Sequence, residues 1–210
     1  MKNTLIRIMW LAVGIGLFAC LSRMDAVFPP TGARMFLGFL VLAVYCCAFG
    51  PYAGGIVGGL GQTLYFLLYY DWNWDFLARL FPRILVGPVL GVAWTGLILG
   101  ALCLFTQKWE NLALRLLLNL ACAVIASAFG LWLSTSLVDT HALNQSLSMA
   151  LRRNQNWFIA NGAVLAAGVP LGMLLRPLLR WASPSSGEVS EQDGAENQWN
   201  ERKDEDHGGL

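Results

Sequence analysis

Histidine is scarce, with two among 210 residues, and neither belongs to an HExxH pair. Five cysteines, Cys20, Cys46, Cys47, Cys103 and Cys122, lie inside apolar stretches and lack metal-ligand spacing. These gaps leave no zinc motif, and the cysteines read as small apolar residues. Cys46 and Cys47 are adjacent, so on a helix they point in different directions and make a poor redox pair. The GxxxxGK[ST] phosphate loop is missing, so ATP hydrolysis by the usual route requires partners. No GxSxG elbow frames a nucleophile, although Ser134, Ser136, Asp139 and His141 lie close together. No catalytic residue, metal or cofactor is therefore expected. Charge is also thin, at 13% of residues with a formal net of +1, and gives no footprint for nucleic acid.

What the chain has in abundance is apolar residues, 56% of the total. The charges fall between apolar runs or in the last stretch, the pattern of a multi-pass membrane protein. At about 20 apolar residues per crossing, residues 1–182 accommodate six transmembrane helices. The runs place them at about Thr4–Leu21, Met35–Phe49, Tyr52–Tyr70, Ile84–Phe105, Leu112–Val138 and Trp157–Leu175. Pro88 falls inside the fourth and predicts a kink. A long polar loop is expected from Asp139 to Asn156, holding His141, Arg152 and Arg153. Lys2 and Arg7, followed by an apolar run ending in Leu17-Phe18-Ala19-Cys20, resemble a signal peptide and a bacterial lipoprotein cleavage site; because Phe18 is bulky for that site and five more spans follow, an uncleaved first helix is the better reading.

The expected fold is thus an all-α, six-helix transmembrane bundle over residues 1–182, in the cell membrane. Residues 183–210 form a second unit, a disordered acidic tail with eight carboxylates and almost no aliphatic residues. Orientation is not set by charge. With the amino terminus in the cytoplasm, Lys2, Arg7, Lys108, Arg115, Arg176 and Arg180 stand against Arg23, Arg34, Arg79, Arg83, Arg152 and Arg153 outside. Such a tie leaves loop arginines free for another task, such as holding an anion, or simply for snorkelling to headgroups.

Glycine is concentrated in two helices. Gly50, Gly54 and Gly58 repeat every fourth residue, and Gly87 with Gly91, then Gly96 with Gly100, do the same. Such rows let helix backbones approach closely in lipid, so they signify packing. Ala12, Gly16 and Cys20 form a similar row on the first helix, which as an end helix has either an internal neighbour or a separate subunit to meet.

Phe49-Gly50-Pro51-Tyr52-Ala53-Gly54-Gly55-Ile56-Val57-Gly58-Gly59-Leu60-Gly61 resembles the FGPxxGxxxGxLGD stretch of substrate-binding S components of energy-coupling factor (ECF) vitamin transporters. Pro82-Arg83-Ile84-Leu85-Val86-Gly87, followed by Gly91, is similar to their PRxLxGxxxG stretch. Gln62 departs from the pattern, standing where many members carry Asp, which bears on the substrate class. The resemblance implies a subunit that captures a vitamin-like micronutrient from outside, while a transmembrane coupling protein and ATPase subunits supply energy. It also implies that Ala12 and Gly16 meet the coupling protein.

By the same resemblance, the ligand sits at the outer end, with Arg34, Trp72, Trp74, Arg83, Trp94, Asp139, Asn156, Trp157 and Asn161 as candidate contacts. Aromatic faces suit a planar ring and polar groups its edges. Interface anchoring is the competing role for the tryptophans. Asn161, inside a span, requires a partner or a ligand. Arg115 and Asn119 lie near the other end and are expected to contact neighbouring helices or headgroups. Two other readings remain open. The third helix also resembles the input domains of some bacterial sensor kinases, and the size fits a structural subunit of the cell-wall elongation machinery.

Overall fold

A computed structural model describes residues 2–24, 26–72 and 86–182. Helix α1 (Lys2–Ser22) rises to a short hairpin of β1 (Ala26–Val27) and β2 (Arg34–Met35), paired antiparallel with Ala26 opposite Met35. Helix α2 (Gly38–Phe49) descends and α3 (Pro51–Tyr69) returns. Helix α4 (Val86–Thr106) descends, and α5 (Leu112–Ser127) rises through a π-helical segment, Ala128–Ser134, into α6 (Thr135–Ala142). Helix α7 (Leu147–Ala182) descends. The described chain thus forms six helical segments of alternating direction. We call the end with the hairpin upper and the end with Gly50 lower.

Four of these segments, Thr4–Ser22, Val86–Thr106, Leu112–Ala142 and Leu147–Leu179, are long and apolar enough to cross a membrane. They are compatible with a membrane protein. The apolar α2 has 12 residues, about 18 Å, short of the hydrocarbon thickness by itself. Helix α3 has 19, but its glycines and Gln62 dilute its apolar character.

Close packing follows the glycines. A methyl group at Gly54 would lie 2.7 Å from the Gly96 carbonyl oxygen, and one at Gly58 would lie 2.8 Å from that of Val92. Helices α3 and α4 therefore touch backbone to backbone. Gly87 and Gly91 face the other side, towards Asp139, Thr135 and Gly130. Gly50, expected in the same packing row, has another task. A methyl there would meet only Leu104 at 3.9 Å, but its φ of +82° makes the tight α2–α3 turn that side chains resist. The core itself is built of Phe18, Phe39, Leu42, Leu99, Leu131 and Leu165, with Phe18 edge-on to Phe39 at 5.8 Å.

One sequence expectation is overturned. The polar stretch 139–156 is not a long loop: α6 runs to Ala142, α7 starts at Leu147, and only four residues turn between them. The kink expected at Pro88 turns on the carbonyl of residue 84, which lies outside the described residues. Pro170 and Pro177 lie inside α7. The expectations for residues 183–210 lie outside the described residues.

Candidate ligand-binding end

The upper end is assembled by one fully buried side chain. Asn161, on α7, accepts from the Phe36 backbone N–H at 2.8 Å and donates to the Arg34 carbonyl at 3.2 Å and to that of Trp157 at 3.0 Å. It is the costly polar group the sequence flags, and its partner is the chain itself. The bonds fasten the end of the hairpin to α7, and Trp157 adds an edge-on contact to Phe39 at 6.3 Å.

With its backbone fixed, Arg34 extends its exposed side chain across to α3. Its Nη1 donates to the Tyr69 hydroxyl at 3.5 Å. Tyr69 belongs to an aromatic ladder. Phe36 lies 5.1 Å from Tyr65, Tyr65 lies 5.7 Å from Tyr69, and Tyr69 stands edge-on to Tyr70 at 5.0 Å. The ladder runs from buried rings to the open rim, because Tyr65 and Tyr69 are four residues apart on one helix face. Trp72 follows, half-exposed, where Asp71 and Trp72 take left-handed backbone angles to close the helix. Gln62 shares the ladder's face one turn deeper; its Oε1 is buried without a hydrogen-bond partner.

Asp139 is 4% exposed, and its Oδ2 accepts from the Asn154 amide at 2.9 Å. Asn154 also donates to Ser136. The other carboxylate oxygen faces Gly87 at the start of α4, whose dipole favours negative charge there. Thr135 donates to the carbonyls of Gly87 and Gly130 in the same layer, each at 3.3 Å. Asp139 is therefore held as a buried structural group between α4, α6 and α7.

The structure thus brings together Arg34, Trp157 and Asn161, with Trp72 just past the end of α3. It does not bring in Trp94, half-exposed on the outer face of α4, or Asn156, which faces outward on α7. Trp74 and Arg83 lie outside the described residues. Sequence reasoning missed Tyr65 and Tyr69, whose four-residue spacing on α3 was the available signal. It also missed Asn154, concealed in a stretch taken for loop.

On the flank, Ala12 is exposed and a methyl at Gly16 would meet nothing within 4 Å. Gly14 faces inward, where a methyl would lie 2.5 Å from the Tyr45 ring. Three of the five cysteines, Cys46, Cys47 and Cys103, are buried as expected, whereas Cys20 is exposed. Among the described residues no group of histidine, cysteine and carboxylate side chains could hold a metal ion. No protein-family model, curated protein or solved structure matches the chain.

Proposed function

We propose that this chain is a six-span membrane protein of the ECF S-component type, capturing a small vitamin-like ligand at its upper end and handing it to coupling and ATPase subunits. The observation that carries the reading is the hairpin fastened by Asn161, which sets the Arg34 guanidinium beside the Tyr65–Tyr69 ladder. An aromatic wall next to a bidentate cation suits a planar ring bearing an acidic edge. The unpartnered Gln62 oxygen below adds an acceptor for an N–H of such a ring. The alternating helices and the glycine rows of α3 and α4 agree with the resemblance of Phe49–Gly61 and Pro82–Gly87. The outward row of Ala12 and Gly16 offers a close-approach surface to a coupling protein.

The test is ligand capture. The full chain, purified in mild detergent, is analysed by mass spectrometry for a retained small molecule, and a vitamin panel is screened for thermal stabilisation. A retained or stabilising vitamin supports the reading, and its affinity is expected to fall about 10-fold or more in Arg34→Ala. No stabilisation across the panel overturns it, and unchanged affinity in Arg34→Ala removes the acidic edge.

A further inference from the structure

The lower end carries a cluster of sulfur atoms, unconnected with the upper site. Cys47 on α2 and Cys103 on α4 are buried, and their Sγ atoms lie 3.7 Å apart. Both line a cleft with room for about one water molecule, and the Met173 thioether of α7 lines it with them. No carboxylate or imidazole lines it. The three sulfurs come from three helices, so no ligand spacing along the sequence announces them.

Two sets of contacts bring the thioether to the thiols. Gly172, just before Met173, packs so closely that a methyl on it would lie 3.0 Å from Cys47 Cβ. On the other side Thr106, three residues after Cys103, donates its hydroxyl to Asn119 Oδ1, and the Asn119 amide donates to Met173 Sδ at 3.3 Å. That weak bond holds the thioether in place and occupies one side of its sulfur. Cys46 is turned elsewhere, its thiol donating to the Gly96 carbonyl at 3.3 Å.

The thiol spacing already suits a shared ion. A metal about 2.3 Å from each of two sulfurs 3.7 Å apart makes an angle of about 110° between them, as in a trigonal or tetrahedral shell. The donors select which metal. Thiolate and thioether are soft ligands suited to Cu(I), whereas zinc takes four ligands drawn from thiolate, imidazole and carboxylate. We propose that Cys47, Cys103 and Met173 form a three-sulfur site for Cu(I) that ties α2, α4 and α7 together. Binding releases the two thiol protons to solvent and moves no electron, so the copper stays cuprous. Two thiolates with one Cu(I) leave a charge of −1, which the Arg115 guanidinium in the same cleft offsets. The site does not depend on the reading of the upper end.

The test uses the full chain in mild detergent, with its thiols reduced and air excluded. Cu(I) is titrated in competition with the chelator bicinchoninate, and the loaded protein is studied by X-ray absorption at the copper edge. The chain is expected to take one Cu(I) from the chelate and to hold it in a shell of sulfur alone at about 2.3 Å. Cys47→Ser and Cys103→Ser are each expected to weaken binding about 100-fold, and Met173→Leu about 10-fold. Cys20→Ser, which changes an exposed cysteine of α1, is expected to bind as the parent does. Should the cysteine variants fail to fold, Met173→Leu and the sulfur shell of the parent carry the test. Failure to take copper from the chelate, nitrogen or oxygen in the shell, or an equal loss in Cys20→Ser overturns the site. Equal or tighter binding of zinc overturns the assignment to copper.

Discussion

Helices α1 and α4 carry the same sequence device, small residues four apart, and use it in opposite ways. On α4 the row of Gly96 and Gly100 presses against the backbone of α3, whereas on α1 the row of Ala12 and Gly16 looks outward with nothing against it. The spacing states only that a neighbour can come close. Position in the bundle decides whether one does: 44% of the apolar window of α4 is buried within the protein, against 17% for α1. A small-residue row on an enclosed helix is a finished contact, and the same row on an edge helix is an open one.

The largest expected effect comes from breaking the closed case. Gly96→Leu forces α3 and α4 apart and is expected to cost about 4 kcal/mol or more, seen as loss of a cooperative thermal transition in detergent. Gly14→Leu tests α1 on its inner face, against the Tyr45 ring, and is expected to cost about 3 kcal/mol by the same measurement. Asn161→Ala, which closes nothing but unfastens the hairpin, is expected to cost about 2 kcal/mol and to speed hydrogen exchange at Phe36. Gly16→Leu, two residues from Gly14, is expected to change the melting temperature of the isolated chain within error. The comparison fails if Gly14→Leu and Gly16→Leu destabilise equally.

Much of this was legible from the chain. The apolar runs placed the helices within a few residues, save that the last begins ten residues earlier and ends seven later than its run, and the glycine rows named the close contacts. The five-residue step from Gly91 to Gly96 even implies two faces, since it turns about 140° around the helix, and the structure puts α6 on one and α3 on the other. What the pattern concealed has physical reasons. Residues 139–156 read as loop because Asp139 and Asn154 are polar, yet they satisfy each other across two helices, which only tertiary packing reveals. Cys47 was weighed against its neighbour Cys46, but its sulfur partner is Cys103, 3.7 Å away on α4. At the upper end Asn161 is legible from its cost inside a span and Arg34 from the resemblance, while Tyr69 reads as an interface aromatic and Tyr65 carries no signal beyond its place in an apolar run.

The π-helical segment Ala128–Ser134 bears on how this chain tolerates insertion and deletion. Leu137 follows Asn119 by 18 residues, about five turns of a regular α-helix, so an unbroken helix would set the two in line. Asn119 is buried, yet Leu137 is 45% exposed, and Thr135 and Asp139 have taken the inner side. The segment absorbs extra residues and shifts the phase of everything beyond it. Deleting one residue there would let the helix run true while setting Leu137 17 residues after Asn119, so Leu137 stays outward and the Asp139 carboxylate stays inward. The segment is thus a place where this helix can lose one residue without moving Asp139 from its partners.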